Sequence, residues 1–292
     1  MVKYKDYRVL GILFIVPQLI LTLVFFIWPA FLSLKQSFFY ADAFGIHEEF
    51  ASFANYFDLF QDGTFWEASV VTLLMAASII LLTMGLGLLL ALLVNACTRG
   101  QNIYKSLFLW PYAVAPAIAA ILWRFLCQPN IGWLANVFGA FGLEFNYLVH
   151  PKQALIVVIL ASSWQQLSYN FLFYFAAIKA IPLALIEASI LDGAGAWQRF
   201  QKITLPLLSP TSFFLLLMNL IYAFFETFGV IDVLTHGGPG SSTTNLMYKA
   251  YKVGFINMDL GRSASLSVVL MLFMIVLGLV QFYYLDKRVH YA

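Results

Sequence analysis

The long apolar runs constrain this chain more than any other feature. Six stretches, at about 9–33, 68–96, 107–126, 154–179, 208–231 and 264–285, are nearly continuous in apolar residues. A hydrocarbon layer of roughly 30 Å is crossed by about 20 apolar residues in helix. Lipid offers backbone N–H and C=O groups no partner, so the hydrogen bonds must close within each segment. The runs do not alternate in polarity, which argues against a transmembrane barrel. Charged residues are 10% of the chain and hydrophobic ones 62%, too few polar groups to cover a soluble fold. The sequence reads as an all-α integral membrane protein, one transmembrane domain over 1–292 with six helices.

The first run is too long for the h-region of a cleaved signal and is followed by no small-residue cleavage site, so it reads as a retained span. Lys3, Lys5, Arg8, Arg99, Lys105, Lys179, Arg199, Lys202, Lys287 and Arg288 fall on one side of the six spans. Most acids, including Asp42, Glu48, Glu49, Asp58 and Asp62, fall on the other. The positive-inside rule then places both termini and segment 182–206 in the cytoplasm. The net charge of +2 and the lack of a basic run away from the membrane edges give no sign of nucleic acid as a partner. Cys97 and Cys127 end spans on opposite faces, out of disulfide reach.

Polar residues inside the spans are the exceptions to explain. Span five holds Asn219, Tyr222 and Glu226. A central acid costs on the order of 3 kcal/mol to insert, offset by about 0.3–0.6 kcal/mol for each Leu, Ile, Phe or Val around it. Glu226 therefore faces the bundle, a cavity or a partner, either lining a pathway or making a structural bond. Span four carries Gln165, Gln166, Tyr169 and Asn170, which fit interhelical hydrogen bonding and a polar pathway equally well. Arg124 sits near the outer end of span three, as an anion guide or a structural rim residue. Pro111 and Pro116 predict a kink in that span. Gly85 and Gly87 predict close helix contact in span two.

The loops give weaker signals. Phe50, Phe53, Tyr56, Phe57 and Phe60 predict an aromatic-faced external helix. "QPNIGWL" predicts a turn, and Ser242 or Thr243 a helix N-cap after the Gly-Gly-Pro-Gly turn. No internal repeat is visible. His47, His150, His236 and His290 lie outside the spans without metal-ligand spacing, and no phosphate loop with Lys-Ser or Lys-Thr occurs. Catalysis, including ATP hydrolysis, has no support in this chain.

Segment 186–210, "IEASILDGAGAWQRFQKITLPLLSP", interrupts the hydrocarbon with a polar, glycine-bearing stretch. Ile186, Ile190, Ala194, Trp197 and Phe200 follow helical spacing. Gly193 and Gly195 permit a bend between two short helices. Leu205-Pro206 is expected to end the helix, since a residue before proline is pushed out of the α region. The apolar stripe needs a cover, either the bundle or another protein.

This segment resembles the cytoplasmic loop of binding-protein-dependent ABC importer permeases, written E-A-A, three residues, G, nine residues, I-x-L-P. Here it reads Glu187-Ala188-Ser189, Gly193, then Ile203-Thr204-Leu205-Pro206, with Asp192 and Ala194 matching the common D-G-A form. Ser189 for the second alanine is the one departure, and it keeps a small side chain. The resemblance implies six spans of that permease type, with 182–206 as a coupling helix seated in a separate ATPase. Its partners would be a second permease subunit in a heterodimer, two ATPase subunits at the cytoplasmic face, a periplasmic substrate-binding protein and membrane lipid. ATP and Mg would belong to the ATPase, leaving this chain without a cofactor. "WPYAVAPA" (110–117), "SYNFLFYFAAIKAIP" (168–182), "NLIYAFFETFGVID" (219–232) and the tail "QFYYLDKRVHYA" are similar to the carbohydrate-uptake branch, most of all to its glycerol-phosphate members.

That cargo creates a tension, because a phosphate monoester carries close to two negative charges near neutrality, whereas the spans offer one acid and only Arg124. A sugar or oligosaccharide importer fits the amide- and aromatic-lined spans as an alternative. An ion-coupled secondary transporter would be expected to show repeats and paired charges, which are not visible.

Overall fold

The computed structural model describes residues 5–41, 48–97, 99–142 and 144–285. Lys3, Asp42, His47, Lys287, Arg288 and His290, named in the sequence reading, lie outside the described residues, as do the side chains of Lys5 and Arg8. Among the described residues, five helices are long and apolar enough to cross a membrane: Gly11–Gln36, Gly63–Ala96, Pro151–Ala180, Ser209–Glu226 and Leu260–Tyr283. A sixth crossing is available if Gln101–Ala113 and Pro116–Cys127, bent by 101° at their junction, form one span.

The expected kink in that third run is a full break. Pro111 lies in a short 3₁₀ turn, Trp110–Ala113, and Pro116 starts the next helix. Val114 and Ala115 between them have ψ of 129° and 140°. Proline suits the first helical position but pushes its predecessor into extended backbone. Pro116 accounts for the extended Ala115 and opens the next helix, whereas Trp110 before Pro111 keeps helical angles, φ −61° and ψ −31°, and the chain leaves the helical region only at Val114.

Two compact units are present, Met1–Gly63 with Ala250–Leu272, and Thr64–Lys249 with Phe273–Ala292. In the first unit the all-α expectation needs correction. Phe39–Ala41 pairs antiparallel with Glu48–Phe50. The aromatic helix consequently begins only at Ala54, with Phe50 in a strand and Ser52 at φ 52° between them. Asn55 is wholly buried, and its Nδ2 donates to the carbonyls of Ser37 and Phe39, both at 3.0 Å. The apolar window of the Gly11–Gln36 helix has no buried residue.

The second unit holds the main core. Ala91 and Val94 pack with Phe171, Tyr174, Leu208 and Leu215. Gly87 lies so close to the Pro151–Ala180 helix that a Cβ there would stand 2.8 Å from Asn170 Cβ, whereas Gly85 faces open space. Only one of the two expected contact glycines is thus a contact.

The turn expected at "QPNIGWL" is present over 129–132, closed by Gly132 N–H on Gln128 O at 2.8 Å, and it leads into helix Trp133–Ala140. Two other local expectations are corrected here. The helix Leu246–Tyr251 is capped by Asn245, whose Oδ1 accepts from Tyr248 N–H at 2.8 Å, not by Ser242 or Thr243. Thr243 instead bonds Gly238 O at 3.0 Å and lies 2.7 Å from the Thr235 hydroxyl. Leu205-Pro206 does not end its helix: Leu205 keeps helical angles, φ −63° and ψ −44°. A π turn, Phe200–Thr204, immediately precedes it, and Leu205 N–H bonds Phe200 O. The wider ring changes the register just before the proline, and the helical path continues through Leu205–Leu207 toward Ser209–Ile221.

Candidate functional site

Two polar regions of the second unit stand out. The first is segment 182–206. Helix Leu183–Leu191 ends at Asp192, and Gly193 takes φ +77°. Ala194 N–H bonds Ser189 O at 2.9 Å and Gly193 N–H bonds Ile190 O at 3.0 Å. That pair of bonds is the Schellman stop, which favours glycine at the left-handed position. Gly195 then caps helix Ala196–Arg199, and Arg199 Nη1 donates back to Ala194 O at 2.6 Å. The expected bend is present and stapled from both sides.

The stop also redistributes the apolar stripe. Ile190 and Trp197 are 52% and 68% exposed, and Leu191, outside the expected stripe, is 88% exposed. Ala194 and Phe200 are half-buried. Of the motif residues, Glu187, Ala188, Asp192, Gly193 and Leu205 are exposed, Ile203 and Pro206 half-buried, and Ser189 buried with its hydroxyl on Ile186 O at 2.6 Å. Ile190, Leu191 and Trp197 thus stand outward from a backbone fixed by the stop.

The second region is a cavity of about 570 Å³ beside the broken helix. Its polar lining is Tyr112, Gln165, Gln166, Tyr169, Tyr222 and Glu226, with Met218, Ile221 and backbone 113–116 completing the wall. Among the described residues no Lys or Arg lines it. The break supplies one wall, because Val114 turns its carbonyl to Gln165 Nε2 at 2.6 Å. Gln165 Oε1 is buried and has no partner among the described residues. The π turn Tyr222–Glu226 supplies the other wall, and such turns recur at functional sites. Glu226 at its end is exposed, while Tyr222 is buried and donates to Ser162 O at 3.1 Å. The rings of Tyr112 and Tyr169 stand 5.7 Å apart.

The seven pathway candidates separate into three places. Gln166, Tyr169, Tyr222 and Glu226 line the cavity. Asn170 and Asn219 are fully buried behind it in an amide clasp. Asn170 Nδ2 donates to Asn219 Oδ1 at 2.9 Å, Asn219 Nδ2 returns to Asn170 Oδ1 at 2.8 Å, and Gln166 Nε2 joins at 3.1 Å. Gln166 therefore belongs to both groups. Arg124 is exposed in the last turn of Pro116–Cys127 and does not line the cavity. Its charge is felt by Tyr147, whose phenol burial pushes up and Arg124 partly lowers. The sequence reading did not select Tyr112 or the carbonyl of Val114. Their only signal was the proline pair, which marks where backbone leaves the helical ladder.

The sequence profile of binding-protein-dependent transport system inner membrane components matches residues 83–291. The chain is 45% identical over 285 residues to the sn-glycerol-3-phosphate transport system permease protein UgpA of Brucella abortus, covering 98% of this chain and 97% of the relative. The identity is 46% over 284 residues to the protein of that name in Escherichia coli, covering 97% and 96%. A bacterial ABC transporter that imports the acidic polysaccharide alginate superposes with TM-score 0.84 at 23% identity, over 97% of this chain and 96% of that one. This likeness establishes the fold. The chain belongs to the family of binding-protein-dependent transport system inner membrane components.

Proposed function

We propose that the chain is one permease subunit of an ATP-driven importer for sn-glycerol-3-phosphate or its glycerophosphodiesters. The observation that carries this reading is 45–46% identity, over nearly the whole length, to relatives named for that transport. Six spans with cytoplasmic termini put Leu183–Leu191 at the inner face, where Glu187, Ala188, Ile190 and Leu191 dock into a groove of an ATPase subunit. Asp192, Gly193 and Ala194 form the bend. Ile203, Leu205 and Pro206 carry the movement into the Ser209–Glu226 span, joined to it through a single turn residue, Leu208. ATP and Mg act in the ATPase pair, and this chain hydrolyses nothing. A second permease subunit closes the pathway opposite the cavity, and a periplasmic binding protein delivers cargo. Differential contact of the docking helix with two ATPase states shifts the permease between inward-open and outward-open forms.

The test is radiolabelled glycerol-3-phosphate uptake by the assembled transporter. Competition by glycerophosphodiesters and none by disaccharides is the expected pattern. A sugar importer is the second reading, favoured by a cavity lining without Lys or Arg among the described residues; it requires the opposite pattern.

A further inference from the structure

We infer that this chain's wall of the cavity grips the hydroxyl-bearing end of the cargo, so that the phosphate points away from it, with Glu226 as the specificity-determining acceptor. The inference rests on the glycerol-phosphate reading above and adds an orientation to it.

The lining carries one formal charge among the described residues, the carboxyl of Glu226, and no Lys or Arg. An ionised carboxylate only accepts hydrogen bonds, and its two oxygens offer up to four lone-pair sites. A phosphate near neutrality is itself an acceptor with close to two negative charges. The two groups share no hydrogen and repel. A vicinal diol has two O–H donors and no charge, so it is the part of glycerol phosphate that a carboxylate can hold.

The neighbours suit the same end. Tyr169 and Tyr112 line the same cavity as the acid, their rings 5.7 Å apart, and supply aromatic surface for the C–H groups of a short polyol. Gln166 is tied by Nε2 to the amide clasp, which fixes its position on the wall. Tyr222 has its hydroxyl committed to Ser162 O, leaving Glu226 the free charged acceptor of that helix face. The cations that neutralise the phosphate then come from outside this wall.

The experiment compares import of sn-glycerol-3-phosphate and its 1-deoxy analogue, propane-1,2-diol phosphate, by the complete transporter. Wild type, Glu226→Gln and Glu226→Asp are each measured with one and the same binding protein. Any preference exerted by that protein cancels when the parent-to-analogue ratio of a variant is divided by that of wild type. A hydrogen bond to a charged group is worth about tenfold or more in affinity. The expected result is a parent-to-analogue preference reduced about tenfold in Glu226→Gln and largely restored in Glu226→Asp. Equal loss for both compounds in Glu226→Gln, with the preference intact, overturns the inference and makes Glu226 a structural or partner-pairing residue. If wild type imports neither compound, the proposed cargo itself fails, and the inference with it.

Discussion

Segment 182–206 and the polar patch around Gln166 are both breaks in an otherwise apolar chain, yet they are built in opposite ways. In segment 182–206 the backbone is fixed and large apolar side chains are left outside, with Leu191 at 88% and Trp197 at 68% exposure. In the patch around Gln166 the polar side chains are the fixed elements, since Asn170 and Asn219 satisfy each other at 0% exposure. One region keeps its capacity for contact by leaving apolar area uncovered. The other keeps its shape by closing the Asn170, Asn219 and Gln166 amides on one another, which spares them the cost of unpaired amides in a low-dielectric interior, while Gln165 Oε1 stays without a partner among the described residues. In the function proposed above, motion enters at the first, and the second holds its cavity wall while the motion passes.

Substitutions can break this contrast, and the largest effect belongs to the hinge. Gly193→Pro imposes φ near −65° where the chain has +77°. Insertion should be normal, and stimulated ATPase of the assembled complex should fall to background. Next in size is the docking face: Leu191→Asp should weaken co-purification with the ATPase by about tenfold or more, through loss of a buried apolar contact and burial of a charge. Protein stability measured without the ATPase should not change, because the side chain touches solvent in this chain.

Asn219→Leu probes the second region. It strips Asn170 and Gln166 of their shared acceptor, a loss of about 1–3 kcal/mol in unfolding from mixed micelles. ATPase binding should be untouched, the reverse of the Leu191 result. The smallest effect is expected at Arg124. It is exposed and does not line the cavity, so Arg124→Gln should leave uptake affinity within about twofold, inside the usual range of surface changes.

The same contrast explains what was legible in the sequence. The docking segment is local: its motif residues lie within about twenty positions, and Gly193 is where a left-handed stop requires glycine. What the spacing missed there was also local physics. The π turn at Phe200–Thr204 carries the helix past Leu205-Pro206, and the Schellman stop moves Leu191 outward. The patch is nonlocal. Helical spacing put Gln166 and Asn170 on one face, but only the neighbouring helix decides that Asn170 meets Asn219 while Gln166 also reaches the cavity. The wall made by Tyr112 and Val114 depends on a 101° break, of which the two prolines disclosed the place but not the size. The strand pair before Ala54 was hidden because aromatic residues at three- and four-residue spacing satisfy helix periodicity whether or not the backbone follows it.

The most direct measurement places a photo-crosslinking amino acid at position 191 of the full transporter and irradiates it with and without ATP. The expected product joins this chain to the ATPase subunit, in a yield that changes with nucleotide. Products with lipid alone, or with the ATPase in a yield indifferent to nucleotide, contradict the assignment of the hinge as the place where energy enters.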